Sequence, residues 1–295
     1  MANEADRGAA ASILLVEDDP LGQKVGKAML THFGCRVDVA ANGREAVDAL
    51  SRQRYDMVFM DCQMPEMDGY EATGVIRERE ARKRESGDGA ARIPIVALTG
   101  HAADADRERC LRAGMDDYLS KPFSVAAVRT LLDRWLPDRR ARSPERKGGE
   151  GSPGAAAPTG GTGDPARRED SPVIEQKAIA AIVALQPPGR DDVLKKVISL
   201  YLDSSLTLMQ GIREAVKGNN ADALYRAAHT LKSSSAYLGA QAFSGMCKEL
   251  EMMGRGNMLE GVAARLAPLD QEYARVRDAL GKLQGGTAVD PDSSP

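Results

Sequence analysis

Glu17 and Asp18 close the apolar run Ile13 to Val16, and Asp61 closes the run Met57 to Met60. Thr99 follows Ile95 to Leu98, and Lys121 follows Tyr118 to Ser120. Short apolar runs of this kind read as buried strands, and an open parallel sheet binds its ligands outside the carboxyl ends of its strands. These five residues are therefore expected to meet at one edge. Three converging carboxylates repel one another unless a hard cation sits among them. Lys121 and the Thr99 hydroxyl add a positive charge and a donor, which suits the stabilisation of a phosphoryl group. The implied chemistry is attack by one carboxylate on phosphorus, giving an aspartyl phosphate bridged by Mg2+.

The elements that must position this set alternate. After Ile13–Val16 come a helix-compatible Leu21–Leu30, a strand over Arg36–Ala40, and helical spacing over Gly43–Ser51. Met57–Met60 precedes a charged helix running to about Arg84, with Asp88–Ala91 in a long loop before Ile95–Leu98. A helix near Asp104–Ala113, the short Tyr118–Ser120 and a closing helix over Val125–Leu136 complete the unit. Five apolar runs separated by helices predict an α/β fold, a doubly wound five-stranded parallel sheet covered on both faces. From Asp138 to Pro172 there is no Val, Ile, Leu, Met or aromatic residue. Nothing there can offset ordering entropy, so the stretch reads as a disordered linker with a span of roughly 30 Å. Beyond it, apolar residues recur three and four apart: Val193, Val197, Leu200 and Tyr201, then Leu224, Ala228 and Leu231. That pattern predicts an all-α antiparallel bundle. Asn220 and Gly239 are placed to cap the helix that carries His229, and further helices are expected over Ala240–Met253 and Leu259–Leu283. The expected organisation is a flexible N-terminus (1–11), an α/β domain (12–136), a linker (137–172), a helical domain (173–284) and a disordered tail (285–295).

Composition narrows the function. Forty basic against forty-three acidic residues, and 4% aromatics, fit neither a phosphate-backbone binder nor a base-stacking platform, so no nucleic-acid partner is expected. The four cysteines form no C-x-x-C and suit reduced thiols in a cytoplasm. No apolar run approaches the span of a bilayer, so no membrane partner is expected. Several residues have plainer readings: Asp19 before Pro20 as a helix N-cap, Asp68–Gly69 as turn chemistry, Cys62 as packing, and Arg77–Arg84 as a solvated helix face.

The segments ILLVEDDP, VFMDCQMPEMDGYE, IVALTG and YLSKPF occur in this order and resemble the signature segments of two-component response-regulator receiver domains over about Ser12–Leu136. The resemblance implies a flavodoxin-like sheet with Asp61 as phosphoacceptor. It implies Mg2+ on Asp18, Asp61 and the main-chain carbonyl of Gln63, with Glu17 acting through water. Thr99 and Lys121 would contact the phosphoryl oxygens, Tyr118 would be the aromatic switch residue, and Lys121–Pro122 would be cis. Gln63 and His101 would flank the phosphoryl group and set its lifetime.

LYRAAHTLKSSSAYLGA, with LYLDSSLTLMQGIREAV before it and MCKELE after it, resembles histidine-containing phosphotransfer (HPt) domains over about Asp191–Leu283. Tyr225, Arg226, Lys232 and Ser233 share the helix face of His229, and two cations there would attract a phosphoryl group. Ser233 stands where this family usually has Gly. The plain alternative is an ordinary surface histidine. The HPt reading expects an exposed His229 on an open face.

Together these readings describe a phosphorelay intermediate resembling the tail of an unorthodox hybrid kinase. A separate histidine kinase would phosphorylate Asp61, and His229 would exchange the group with a downstream response regulator. The chain would not be an enzyme beyond its self-catalysed acyl-phosphate formation and loss. The competing readings are a phosphorylation-controlled binding switch, a phosphate sink, and a DNA-binding regulator, the last disfavoured by the charge-balanced bundle.

Overall fold

A computed structural model describes residues 10–87, 91–100, 104–137, 172–186 and 193–285. The expected N-terminal segment, linker and tail therefore fall almost wholly outside the described residues, as do His101 and most of the loop expected at Asp88–Ala91.

The N-terminal unit runs β1 (Ser12–Val16), α1 (Pro20–His32), β2 (Arg36–Ala40), α2 (Gly43–Arg52), β3 (Met57–Asp61), α3 (Gly69–Glu85), β4 (Ile95–Thr99), α4 (Asp104–Arg112), β5 (Asp117–Ser120) and α5 (Val125–Trp135). All strand pairs are parallel, in the order β2-β1-β3-β4-β5. β1, β3 and β4 are buried at every position, as central strands must be when helices cover both faces. Their side chains alternate between two cores. Ile13, Leu15, Met57, Phe59, Val96 and Leu98 meet Leu21, Val25 and Met29 of α1 and Val128, Leu131 and Leu132 of α5. Leu14, Val16, Val58, Met60, Ile95 and Ala97 meet Ala46, Val47, Ala72, Ile76 and Cys110 on the other side. The register levels the strand ends: Val16 pairs with Met60, Asp61 with Leu98, and Thr99 with Ser120. The residues expected at one edge are thereby brought to it.

Helix starts follow from side-chain caps. Asp19, Asn42, Asp68, Ser124 and Asn220 each accept hydrogen bonds from main-chain N–H groups of the first turn. One expectation fails in part: Arg77–Arg84 is not simply solvated. Arg77 pairs with Asp116 at 2.6 Å and with Glu80 at 2.8 Å, donates to the Gly114 carbonyl, and is nearly buried. The charge pattern along α3 could not show that the α4–β5 turn would bring a carboxylate to it.

The C-terminal unit comprises α6 (Gln176–Val183), α7 (Val193–Lys217), α8 (Ala221–Tyr237), α9 (Gln241–Arg255) and α10 (Val262–Gly285). The apolar stripe forms the core, with Val197, Tyr201, Leu224, Ala228 and Leu231 all buried. Two hydroxyl pairs lie within the bundle, Tyr201 with Ser235 at 2.9 Å and Ser205 with Tyr273 at 2.8 Å. α8 ends as its sequence predicts. Gly239 takes φ +80°, its N–H reaches the Ala236 carbonyl, and the Ala240 N–H reaches Ser235. This tight turn folds α9 back along α8, and α6, an element the periodicity did not announce, sets Ala178 against Gly239.

The two units touch. α1 packs on α7 and α8, and the apolar cluster on the α1–α5 face of the sheet continues into the bundle.

Candidate functional site

Glu17, Asp18 and Asp61 present carboxylate oxygens that all lie within 4.8 Å of one another. Glu17 is held from two sides: its N–H pairs with the Ala40 carbonyl, and its side chain lies against the first turn of α1, where a Cβ on Gly22 would fall 2.7 Å from its carboxyl carbon. Asp61 closes β3, and its carbonyl is approached by Gly69 so closely that any Cβ there would sit 2.0 Å from the oxygen. Asp61 also receives the Gln63 N–H at 3.2 Å. Lys121 Nζ stands 2.6 Å from both Glu17 and Asp61. Its main chain is fixed by donation to the Thr99 carbonyl, and the Lys121–Pro122 peptide is cis. Thr99 is buried at the adjoining strand end.

The electrostatics follow from burial and crowding. Burial, then repulsion from Asp61, pushes the Asp18 carboxyl up to about 7. Burial raises Glu17 well above the ordinary carboxylate range, and Asp61 adds to it while Lys121 opposes. Burial alone would lower Lys121, but Asp61 and Glu17 outweigh it and hold it well above its usual value. When ionised, three carboxylates against one ammonium leave an excess of two negative charges in a donor set made of hard oxygens. The site fits a hard divalent cation such as Mg2+.

Asp19 is the α1 cap that its position before proline predicts, accepting from Leu21 and Gly22 at 3.3 and 3.2 Å. Cys62 is buried with its sulfur 3.7 Å from that of Cys110, consistent with packing. Tyr118 is 39% exposed, with the Arg107 guanidinium 5.7 Å from its ring centroid.

In the bundle, His229 departs from expectation. It is not an exposed side chain on an open face but is only 7% exposed. The cause is the N-terminal unit: a Cβ on Gly100, just after Thr99, would lie 3.2 Å from His229 Cε1 and 2.7 Å from Lys232 Nζ. Of the two expected cations, Lys232 is near the ring, whereas the Arg226 guanidinium is tied to Asp222 on the outer surface. Ser233 is buried one turn beyond His229.

The sequence reading passed over two residues. Glu251 on α9 takes His229 Nδ1 at 2.6 Å and Lys232 Nζ at 2.7 Å. The signal was present, since His229 lies ten residues before Gly239 and Glu251 twelve after it, opposite one another in a tight antiparallel hairpin. Tyr237, two turns beyond His229, crosses to the other unit and meets Phe123 edge-on, with centroids 5.4 Å apart.

The fold and this site define a parallel α/β domain with an acidic pocket at its strand ends, joined to a histidine-bearing bundle. Residues 13–133 belong to the response regulator receiver domain family and residues 196–279 to the Hpt domain family. Sensor histidine kinase GacS of Pseudomonas protegens is 28% identical over 268 residues, covering 90% of this chain and 27% of GacS. Signal transduction histidine-protein kinase BarA of Shigella flexneri is 25% identical over 284 residues, covering 94% of this chain and 28% of BarA. The chain thus spans about a quarter of the length of these relatives. Among solved structures, the receiver domain of sensor histidine kinase PA1611 from Pseudomonas aeruginosa PAO1 shares 48% identity, covering 44% of this chain and 99% of that one, with a TM-score of 0.39. That structure has a magnesium ion coordinated in its active site cleft. The chain carries receiver and Hpt domains homologous to those of hybrid-kinase phosphorelays. No helix among the described residues is long and apolar enough to cross a membrane.

Proposed function

We propose that this chain is a phosphorelay intermediate in which Asp61 accepts a phosphoryl group from a histidine kinase and His229 exchanges it with a response regulator. The observation that carries this reading is the convergence of Glu17, Asp18 and Asp61 with Lys121 bridging two of them. Asp61 is the carboxylate at the strand end, fixed by β3 and by the Gln63 N–H, and it is the nucleophile toward phosphorus. Lys121 and Thr99 neutralise and bond the phosphoryl oxygens. Asp18, Asp61 and the Gln63 carbonyl would hold Mg2+, with Glu17 behind them. When bound, the ion supplies positive charge to the phosphoryl oxygens. Tyr118 is the candidate switch residue.

On the bundle, His229 donates its Nδ1 proton to the Glu251 carboxylate, which leaves the Nε2 lone pair for phosphorus. Lys232, held by the same carboxylate, supplies positive charge beside the ring. The receiver and Hpt segments are proposed to be functional as 12–136 and 173–284.

Labelled phosphoryl transfer from a histidine kinase tests the order of events. Wild type is expected to carry base-labile label on Asp61 and acid-labile label on His229. Asp61→Asn is expected to take no label from the kinase, and His229→Gln to keep only the acyl phosphate. Kinase-dependent labelling of His229 in the Asp61→Asn chain would overturn the order.

A further inference from the structure

The two residues proposed to carry the phosphoryl group do not face separate surfaces. Gly100 of the receiver is seated against His229 and Lys232, and a Cβ there, 2.7 Å from Lys232 Nζ and 3.2 Å from His229 Cε1, would require one or both to shift. Phe123, two residues after Lys121, meets Tyr237 edge-on, while α1 packs on α7 and α8. Four buried side-chain atoms have no hydrogen-bond partner among the described residues: Gln63 Oε1, His229 Nε2, Ser233 Oγ and Tyr237 Oη. Gln63 lies two residues from Asp61, and His229, Ser233 and Tyr237 follow one another at four-residue steps along one face of α8. Tyr237 is buried against Phe123, two residues beyond Lys121, and its hydroxyl feels first that burial and then the charges of Lys121, Glu17 and Asp61. Buried polar atoms left unpaired are costly, each by about 1–3 kcal/mol, and the three on the α8 face that meets Gly100 and Phe123 point to a polar ligand that completes them.

We propose that the contact between the two domains is a closed, transfer-competent state, and that Ser233 and Tyr237 build with His229 a transit site for the phosphoryl group as it passes between Asp61 and His229 of one chain. The proposal rests on the reading of Asp61 and His229 as phosphoryl carriers. In the transfer, the His229 Nε2 lone pair forms the new N–P bond and the P–O bond to Asp61 breaks. The bonding electrons return to the Asp61 carboxylate. The ring keeps its Nδ1 proton, the positive charge it gains faces Glu251, and no proton or water crosses the interface. Ser233 and Tyr237 donate hydrogen bonds from their hydroxyls to phosphoryl oxygens in transit. The reverse transfer uses the same groups.

Full-length protein is charged at Asp61 with radiolabelled acetyl phosphate and Mg2+, and the shift of label from acid-stable to acid-labile is timed. The half-time is expected to stay constant over a hundredfold range of protein concentration. Mixing the Asp61→Asn and His229→Gln chains is expected to slow transfer at least tenfold. Tyr237→Phe and Ser233→Ala are each expected to slow transfer within one chain several-fold. A half-time that shortens in proportion to concentration would overturn the closed state while leaving the carrier roles intact. Rates within twofold of wild type for both substitutions would overturn the transit site. Label on neither residue would overturn the carrier reading itself.

Discussion

One Glu251 oxygen meets His229 Nδ1 and the other meets Lys232 Nζ, in a part of the bundle where all three side chains are nearly sealed from water. Burial works against the Glu251 charge, but the hydrogen bond and charge of His229 and the charge of Lys232 outweigh it and hold the carboxyl at about 2, against an ordinary 4.5. A carboxyl held low in the folded state contributes stability that is complete above its unfolded value. That stability, on the order of 3 kcal/mol, is lost as pH falls from about 4.5 through about 2. Urea titrations of the full chain should therefore show an acid limb across this window, and Glu251→Gln should flatten it. Glu251→Ala leaves Lys232 buried without its carboxylate and is expected to cost about 3–5 kcal/mol in the same titration. At this scale the strand-end residues were legible, because each apolar run ends on the residue it presents. Glu251 was not, because its role depends on a pairing across two helices. The exposure of His229 was misread, since nothing local to α8 says what covers it.

At the scale of elements, close backbone approach sets the tolerances. Gly69 lets the first turn of α3 fold onto the Asp61 carbonyl. Gly69→Ala must push that turn away, and a displacement near 1 Å is expected to slow Asp61 phosphorylation roughly a hundredfold. Timing acyl-phosphate formation from acetyl phosphate checks this. Gly254 performs the corresponding task in the α8–α9 hairpin, where a Cβ would lie 2.7 Å from the Tyr225 nitrogen and 2.8 Å from the Ala221 carbonyl. Gly254→Ala is expected to cost about 1–3 kcal/mol, read as a lowered melting temperature. The strands and most helices were legible because buried strands read as unbroken apolar runs and the caps stand at their starts. α6 was not, being eight residues with no long periodicity of its own. The Arg77–Asp116–Glu80 network was hidden for a different reason: the same charges would suit a solvated helix, and only the arrival of the α4–β5 turn buries them.

At the scale of the molecule, two compositionally different halves share one apolar cluster. Gly100→Val inserts a side chain where Lys232 and His229 now sit and is expected to hold the halves apart. Diethyl pyrocarbonate should then modify His229 faster than in wild type, as mass spectrometry of the His229 peptide would show. An equal rate would mean that Gly100 does not control access. Two different folds, one on either side of a stretch without large apolar residues, were legible from composition, whereas their mutual seating was not, because it is made by single residues such as Phe123 and Tyr237 meeting across a long gap in sequence. The bundle takes the α1 side of the receiver, yet Tyr118 at the far edge strand remains 39% exposed beneath Arg107. A protein that bound that aromatic ring would therefore not have to displace the bundle to reach it.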